Sequence, residues 1–179
     1  DRRADRVVYT STFSKPFATG VRVGFGMLPE PLLTAALRGK GNHDFGTANF
    51  LQQILSQALT NGSYETQVAK LRRRYARKAK VMTQACAAHF PDAVQWENPT
   101  GGLYVWARLP AKVRTGLKSA LFKTALRHKV LYVPGDLCYC HDATRRKPNR
   151  ELRLSYGNAS LKEIEEGIAR LGRALKKVL

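Results

Sequence analysis

The segment at residues 12–24 constrains the fold of this chain more than any other part of its sequence. It reads Thr-Phe-Ser-Lys-Pro-Phe-Ala-Thr-Gly-Val-Arg-Val-Gly, so that Lys15 is followed seven positions later by Arg22. Short apolar runs at residues 7–9 and 21–27 lie on either side of the lysine, and such runs favour β-strands. The segment is therefore predicted to be a loop between two strands that presents hydroxyl, amine and guanidinium groups.

These residue types suit a ligand that carries both an aldehyde and a phosphate. A lysine amine forms an imine with an aldehyde, whereas a guanidinium and nearby hydroxyls bind a phosphate through hydrogen bonds. Each residue also has an ordinary interpretation, because Lys15 could be a solvated surface lysine and Arg22 a strand residue that faces water. The choice between these interpretations depends on what else the chain contains.

Three further motifs follow the lysine segment. Residues 98–106 read Asn-Pro-Thr-Gly-Gly-Leu-Tyr-Val-Trp, residues 133–135 read Val-Pro-Gly, and residues 152–156 read Leu-Arg-Leu-Ser-Tyr. Together with the lysine segment, they resemble the fold-type I pyridoxal-phosphate (PLP) enzymes of the class I/II aminotransferases. The spacing from Lys15 to Arg22 is most similar to that of the 2-aminoadipate aminotransferase-like group and of winged-helix regulators that carry an aminotransferase-like domain.

The resemblance implies a role for five residues. Lys15 is the catalytic residue, which holds PLP as a Schiff base and, once released, carries a proton. Thr12, Ser14 and Arg22 bind the cofactor phosphate, and Arg153 binds the substrate α-carboxylate.

The sequence departs from the family's pattern at three positions within the lysine segment. It has Thr12 where serine is usual, Pro16 directly after the lysine, and Thr19 where proline is usual. Thr12 keeps a hydroxyl group, so the phosphate contact is still expected.

The resemblance also implies a fold class and a domain organisation. An α/β chain of PLP-transferase fold type I is expected, with a partial large domain followed by an α+β small domain. Residues 1–62 would be the C-terminal part of the PLP-binding large domain. Residues 63–179 would comprise a long linking helix and the small domain.

Periodicity predicts the individual elements. A stripe of apolar residues at helical spacing marks a long helix from Ser63, and a second stripe marks the last helix, which Ser160 and Glu163 begin with a capping box. The first stripe is Val68, Leu71, Tyr75, Ala79, Met82 and Cys86, and the second is Leu161, Ile164, Ile168, Leu171, Leu175 and Val178. Helices are also predicted near residues 32–37, 47–59 and 117–128, strands at 103–109, 130–133 and 152–156, and loops at 39–46 and 139–150.

The resemblance covers nearly the whole chain but only the C-terminal portion of the family's proteins. The family's glycine-rich phosphate turn, its stacking aromatic residue and the aspartate that protonates the pyridine ring have no candidates here. We therefore expect the C-terminal fragment of a PLP-dependent aminotransferase, inactive alone, which in its complete form acts on an amino acid and a 2-oxo acid as a cytoplasmic homodimer. The alternative is the PLP-binding effector domain of a winged-helix transcription regulator.

Charge is the unusual feature of the composition, since 31 lysines and arginines against 13 acidic residues give a net charge of +18. Charge runs are weak signs of nucleic-acid binding, so a nucleic-acid partner is expected only if a winged helix precedes the chain. A basic fragment that itself binds nucleic acid is a third, weaker alternative. No run is long or apolar enough for a membrane span. The Cys-Tyr-Cys-His run at residues 138–141 lacks a second pair of ligands, so no metal site is expected.

Overall fold

The computed structural model describes residues 4–179, which form helices and sheets. The chain divides into two compact units, the first ending at Arg72 and the second beginning at Arg73. The division falls inside the longest helix, α3 (Ser63–His89). No helix of the described residues combines the length and the apolar character that crossing a membrane requires.

The first unit contains a two-stranded antiparallel sheet and two helices. Strand β1 (Tyr9–Thr12) pairs with β2 (Gly24–Met27), with Tyr9 opposite Met27 and Thr12 opposite Gly24. The helices are α1 (Leu32–Asp44) and α2 (Asn49–Thr60). Its small core is built from Val21, Val23 and Leu55, against which Phe13, Phe17, Ala18 and Leu51 pack.

Helix α1 extends through the residues that we predicted as a loop at 39–46, so that prediction is wrong for residues 39–44. Lys40 and Asp44 form an ion pair of 2.9 Å one helical turn apart, which favours the helix despite its glycines. The helix ends where Phe45 adopts a left-handed φ of 50° and Gly46 donates its N–H to the Asp44 side chain.

The second unit is a four-stranded antiparallel sheet with helices. The strands are β3 (Gln95–Trp96), β4 (Tyr104–Arg108), β5 (Val133–Pro134) and β6 (Glu151–Ser155), in the spatial order β3-β4-β6-β5. Helices α4 (Ala120–Arg127) and α5 (Leu161–Lys176) accompany them. Strand β3 was not predicted from the sequence. Helix α4 is shorter than the helix predicted at 117–128. Strand β5 begins only at Val133, so residues 130–132 of the predicted strand lie outside it.

Both predicted apolar helix stripes are confirmed for the residues that belong to the second unit, because these residues form part of its core. Met82 and Cys86 of α3 are buried, and Tyr75 and Ala79 pack against the same cluster. From α5, the cluster includes Ile164, Ile168, Leu171 and Leu175, and full burial of such a side chain contributes about 1.5–3 kcal/mol.

The sheet formed by strands β4 and β6 has one face buried in the core and one face that the core does not cover. Val105 and Ala107 are fully buried in the core, whereas their neighbours Tyr104, Trp106 and Arg108 are partly or well exposed. Because side chains alternate along a strand, these three residues share the face of the sheet that the core does not cover. Arg153 lies on the same face, since it is paired with Trp106 in the register of β4 and β6.

Candidate functional site

The loop that carries Lys15 is a tight turn anchored by aromatic side chains. The chain leaves β1 and turns at once, with the Phe17 N–H donating to the Phe13 carbonyl at 3.0 Å. The rings of both residues contact Tyr64, with centroids 5.6–5.9 Å apart. These contacts fix the ends of the turn, while Lys15 between them is exposed.

The three predicted phosphate ligands, Thr12, Ser14 and Arg22, form one hydrogen-bonded cluster next to Lys15 in the chain. The Thr12 hydroxyl accepts a bond from the Ser14 N–H at 3.1 Å and donates to the Val23 carbonyl at 3.3 Å. Arg22 donates from Nη1 to Ser14 Oγ at 3.4 Å. Ser14 is only 5% exposed, so its hydroxyl is largely shielded from water. The Arg22 guanidinium is its hydrogen-bond partner.

The backbone of Arg22 explains how its side chain reaches the cluster. Arg22 has a left-handed φ of 51°, while Val21 and Val23 on either side are buried. This conformation breaks the expected strand at residues 21–27, so that β2 begins only at Gly24. A left-handed non-glycine residue costs about 1–2 kcal/mol, and such strain is concentrated at functional sites.

The donor set of the cluster fits a phosphate group. It combines one guanidinium and two hydroxyls, and within residues 4–179 Arg22 forms no ion pair with a carboxylate. An arginine fork without an acidic partner suits a dianion, which can accept hydrogen bonds from the guanidinium and the Ser14 hydroxyl. The Thr12 hydroxyl would join them by turning from the Val23 carbonyl to which it now donates. Lys15, the next residue along the chain from Ser14, adds the amine that reacts with an aldehyde.

Arg153 belongs to the second unit and is held by an aromatic ring. Its guanidinium carbon lies 4.4 Å from the centroid of the Tyr104 ring. Its Nε is buried and has no hydrogen-bond partner among the described residues. A half-buried arginine with an unused donor fits the binding of a carboxylate, the role that the resemblance implies.

Glu151, two residues before Arg153 on β6, anchors a second polar cluster that the sequence did not predict. Glu151, which is 3% exposed, accepts hydrogen bonds from Tyr139 Oη at 2.6 Å and from Arg108 Nε at 3.3 Å. The Tyr139 ring also meets Trp106 edge to face, and the bond to Glu151 raises the pKa of the Tyr139 phenol. Strand alternation could have placed Trp106 and Arg108 on this face, but nothing local to Tyr139 indicates its contacts.

The structure therefore gathers Thr12, Ser14 and Arg22, with Lys15 in the same turn, inside the first unit. Arg153 lies in the second unit, on the uncovered face of the sheet. The pairing of a lysine turn with a phosphate-type donor cluster is what PLP-dependent enzymes need from this part of a protein.

Comparison with known proteins agrees with this class. The family model for aminotransferase class I and II matches residues 1–171, and the chain belongs to that family. A curated relative, the 2-aminoadipate transaminase of Thermus thermophilus, is 33% identical over 97% of this chain and 42% of its own length. The HTH-type transcriptional regulator YdfD of Bacillus subtilis is 27% identical over 96% of this chain and 34% of its own length.

Solved structures give the same result. The α-aminoadipate aminotransferase LysN of Thermus thermophilus, complexed with N-(5'-phosphopyridoxyl)-L-leucine, superimposes with a TM-score of 0.81 at 33% identity. The match covers 96% of this chain and 42% of LysN. The predicted fold class is thus confirmed, and the chain spans 40–42% of the length of the curated aminotransferases reported as its relatives.

Proposed function

We propose that this chain is the part of a PLP-dependent aminotransferase that carries the cofactor lysine, the phosphate-binding arginine and the substrate-binding arginine. The complete protein would transfer an amino group between an amino acid and a 2-oxo acid. The hydrogen-bonded cluster of Thr12, Ser14 and Arg22 beside Lys15 is the observation that carries the proposal. Residues 1–62 would be the end of the cofactor-binding domain, and 63–179 the linking helix and small domain.

The first unit would hold the cofactor by its two ends. Arg22, Ser14 and Thr12 would bind the phosphate, and each charge-assisted bond from the guanidinium would be worth about 1.5–3 kcal/mol. Lys15 would bind the aldehyde covalently through Nζ. When bound, PLP supplies a pyridine ring that accepts electrons from the substrate α-carbon.

The remaining chemistry assigned to this chain is proton transfer and orientation. Once free, the Lys15 amine would take a proton from the substrate α-carbon and deliver it to the bound cofactor, which is general acid–base catalysis. Arg153 binds the α-carboxylate and so restricts the orientation of the α-carbon. Such positioning lowers the entropic part of the barrier.

We further propose that the chain alone binds PLP weakly and supports little turnover. The aspartate that would keep the ring nitrogen protonated has no assigned counterpart in this sequence, so the electron sink would be shallow. The complete protein is proposed to act as a homodimer, as the family resemblance implies, and in the cytoplasm, the compartment that the cysteine content of the sequence favours.

A second candidate function is the effector-sensing domain of a winged-helix transcription regulator. The observation that favours it is the 27% identity to an HTH-type regulator over 96% of this chain. An enzyme would convert bound PLP to its amine form repeatedly when given an amino acid and a 2-oxo acid. A sensor domain would bind the same cofactor, change its absorbance once and not turn over.

Covalent labelling tests the lysine assignment. The folded chain is incubated with PLP, reduced with borohydride and digested, and the pyridoxyl-bearing peptide is identified by mass spectrometry. We expect the label on Lys15, its loss in Lys15→Ala, and its retention in the control Lys70→Ala, which changes another exposed lysine of the first unit. Label scattered over many lysines of a folded chain would contradict the assignment.

A comparison of two ligands tests the phosphate cluster. Arg22→Gln should weaken PLP binding about 10- to 100-fold, because a charge-assisted bond is lost, yet leave the weak binding of pyridoxal unchanged. Arg38→Gln, an exposed arginine of α1, serves as the control and should affect neither ligand. Equal losses for both ligands in Arg22→Gln would show that Arg22 does not bind the phosphate.

A further inference from the structure

Helix α3 carries a row of positively charged side chains that has no part in the proposed function. Residues 66–90 contain seven lysines and arginines and no aspartate or glutamate. Four of them, Arg73, Arg74, Arg77 and Lys80, are exposed and lie in the second unit; we call them the basic row. The ion pairs within residues 4–179 involve none of the four.

The basic row works against the stability of the helix that carries it. Arg73 and Arg77 are four residues apart, and Arg77 is three residues from both Arg74 and Lys80. Like charges at these spacings face each other on a helix and destabilise it. A solvated helix face needs only mixed charges, so solubility alone does not explain four neighbouring cations.

The other face of α3 limits which polyanion the row can bind. Met82, Ala85 and Cys86 are buried, and Tyr75 packs against the same core. An amphipathic helix that binds a membrane surface inserts its apolar face among the lipids, but here that face is already covered by protein, so lipid could offer the row only its surface charge. The row therefore offers charge without an apolar contact, which suits the backbone of a nucleic acid.

The spacing and chemistry of the row agree with phosphate binding. Arg73 and Lys80 are separated by about 10 Å along the helix axis, a distance over which duplex DNA presents several phosphates. Arg74 and Arg77 also line a shallow depression with Lys78 and Glu163. The Glu163 carboxylate accepts a hydrogen bond there from the Ser160 N–H at 2.7 Å, and among the described residues it forms no ion pair with either arginine.

We propose that the basic row of α3 binds the phosphate backbone of double-stranded DNA without reading its sequence. The binding is a second activity of this chain, independent of the cofactor. The sequence offered direct binding by a basic run only as a weaker alternative and named no surface for it, whereas the exposed residues of α3 assign it to the basic row. Because the contacts are electrostatic, the affinity falls steeply as salt displaces the protein.

Fluorescence anisotropy with a labelled duplex of arbitrary sequence tests the proposal on the full 179-residue chain. The test variant is R73Q/R77Q/K80Q, in which glutamine keeps the helix propensity. The matched control is R114Q/R146Q/K118Q, which removes the same charge from exposed residues of the same unit. Affinities are measured between about 50 and 200 mM salt, the range over which phosphate contacts change binding most visibly.

We expect the test variant to bind the duplex about tenfold or more weakly than the unmodified chain. We also expect the slope of its plot of log affinity against log salt concentration to be smaller in magnitude by about 3, one for each removed charge. The control variant should keep the slope of the unmodified chain. Equal losses in both variants would mean that net charge alone attracts the duplex and would overturn the proposal. Absence of salt-dependent binding would overturn it as well, as would binding to anionic lipid vesicles with no binding to the duplex.

Discussion

Arg153 lies over the ring of Tyr104, with the guanidinium carbon 4.4 Å from the ring centroid. The two residues come from the adjacent strands β6 and β4, in a register that pairs Arg153 with Trp106 and Tyr104 with Ser155. Stacking holds the planar guanidinium by its face, so its hydrogen-bonding edge stays available. The unpartnered Nε of Arg153 is consistent with such an arrangement.

Removing the ring should loosen the arginine. A cation–π contact of this kind is worth about 0.5–2 kcal/mol, so Tyr104→Ala should weaken carboxylate binding at Arg153 by about 2- to 30-fold. Tyr104→Phe keeps the ring and should behave like the unmodified chain. The measurement is an NMR titration of the Arg153 Nε–H signal with a 2-oxo acid. Equal weakening in both variants would assign the effect to the Tyr104 hydroxyl instead.

Two glycines of α5 should respond in opposite directions to the same substitution. A Cβ at Gly172 would lie 2.5 Å from the His89 carbonyl oxygen, whereas a Cβ at Gly167 would have nothing within 4 Å. Gly172→Ala should therefore lower the free energy of unfolding by about 1–3 kcal/mol through overpacking. Gly167→Ala should raise it by about 0.5–1 kcal/mol, because alanine favours the helix. Urea unfolding of both variants measures the difference, and a stable Gly172→Ala would contradict the close approach.

The capping box of α5 should make stability depend on pH. The Ser160 N–H bond lowers the pKa of Glu163 below its ordinary value of 4.5. Its folded pKa is below its unfolded pKa, so its contribution is present above the unfolded value and is lost as the pH falls through the folded one.

The urea midpoints of the unmodified chain and Glu163→Gln should therefore differ at neutral pH and converge as the pH falls through the folded pKa of Glu163. Glu165→Gln changes an exposed neighbour on the same helix and should show no such convergence. A constant difference between the chain and Glu163→Gln across this pH range would exclude the charged cap.

The three cysteines should separate into two reactive thiols and one inert thiol. Cys138 and Cys140 are exposed, whereas Cys86 is buried in the core and burial raises the pKa of its thiol to about 12. Because the thiolate is the reactive form, a thiol reagent should modify two groups quickly and the third only after unfolding. The variant C138S/C140S should show no fast reaction. A fast reaction of that variant would mean that the core around Cys86 opens readily.

Local sequence determined those features that depend on neighbours within one or two helical turns. The capping box of Ser160 and Glu163 is present as predicted, because both of its hydrogen bonds close between residues three apart. The apolar stripe of α5 is buried as predicted, since helical periodicity alone assigns its face. The family resemblance likewise rested on short contiguous motifs, and the comparisons confirm it.

Tertiary structure decided what depends on residues distant in sequence. The left-handed backbone of Arg22, which brings it to Ser14, is held between the buried side chains of Val21 and Val23. The contacts of Tyr104 with Arg153 and of Tyr139 with Glu151 depend on strand pairing and loop placement. Strand register and the path of a loop are set by packing against distant partners, which no local pattern specifies. The sequence by itself therefore determined the family and the candidate residues, whereas only the folded chain decided which of their side chains meet.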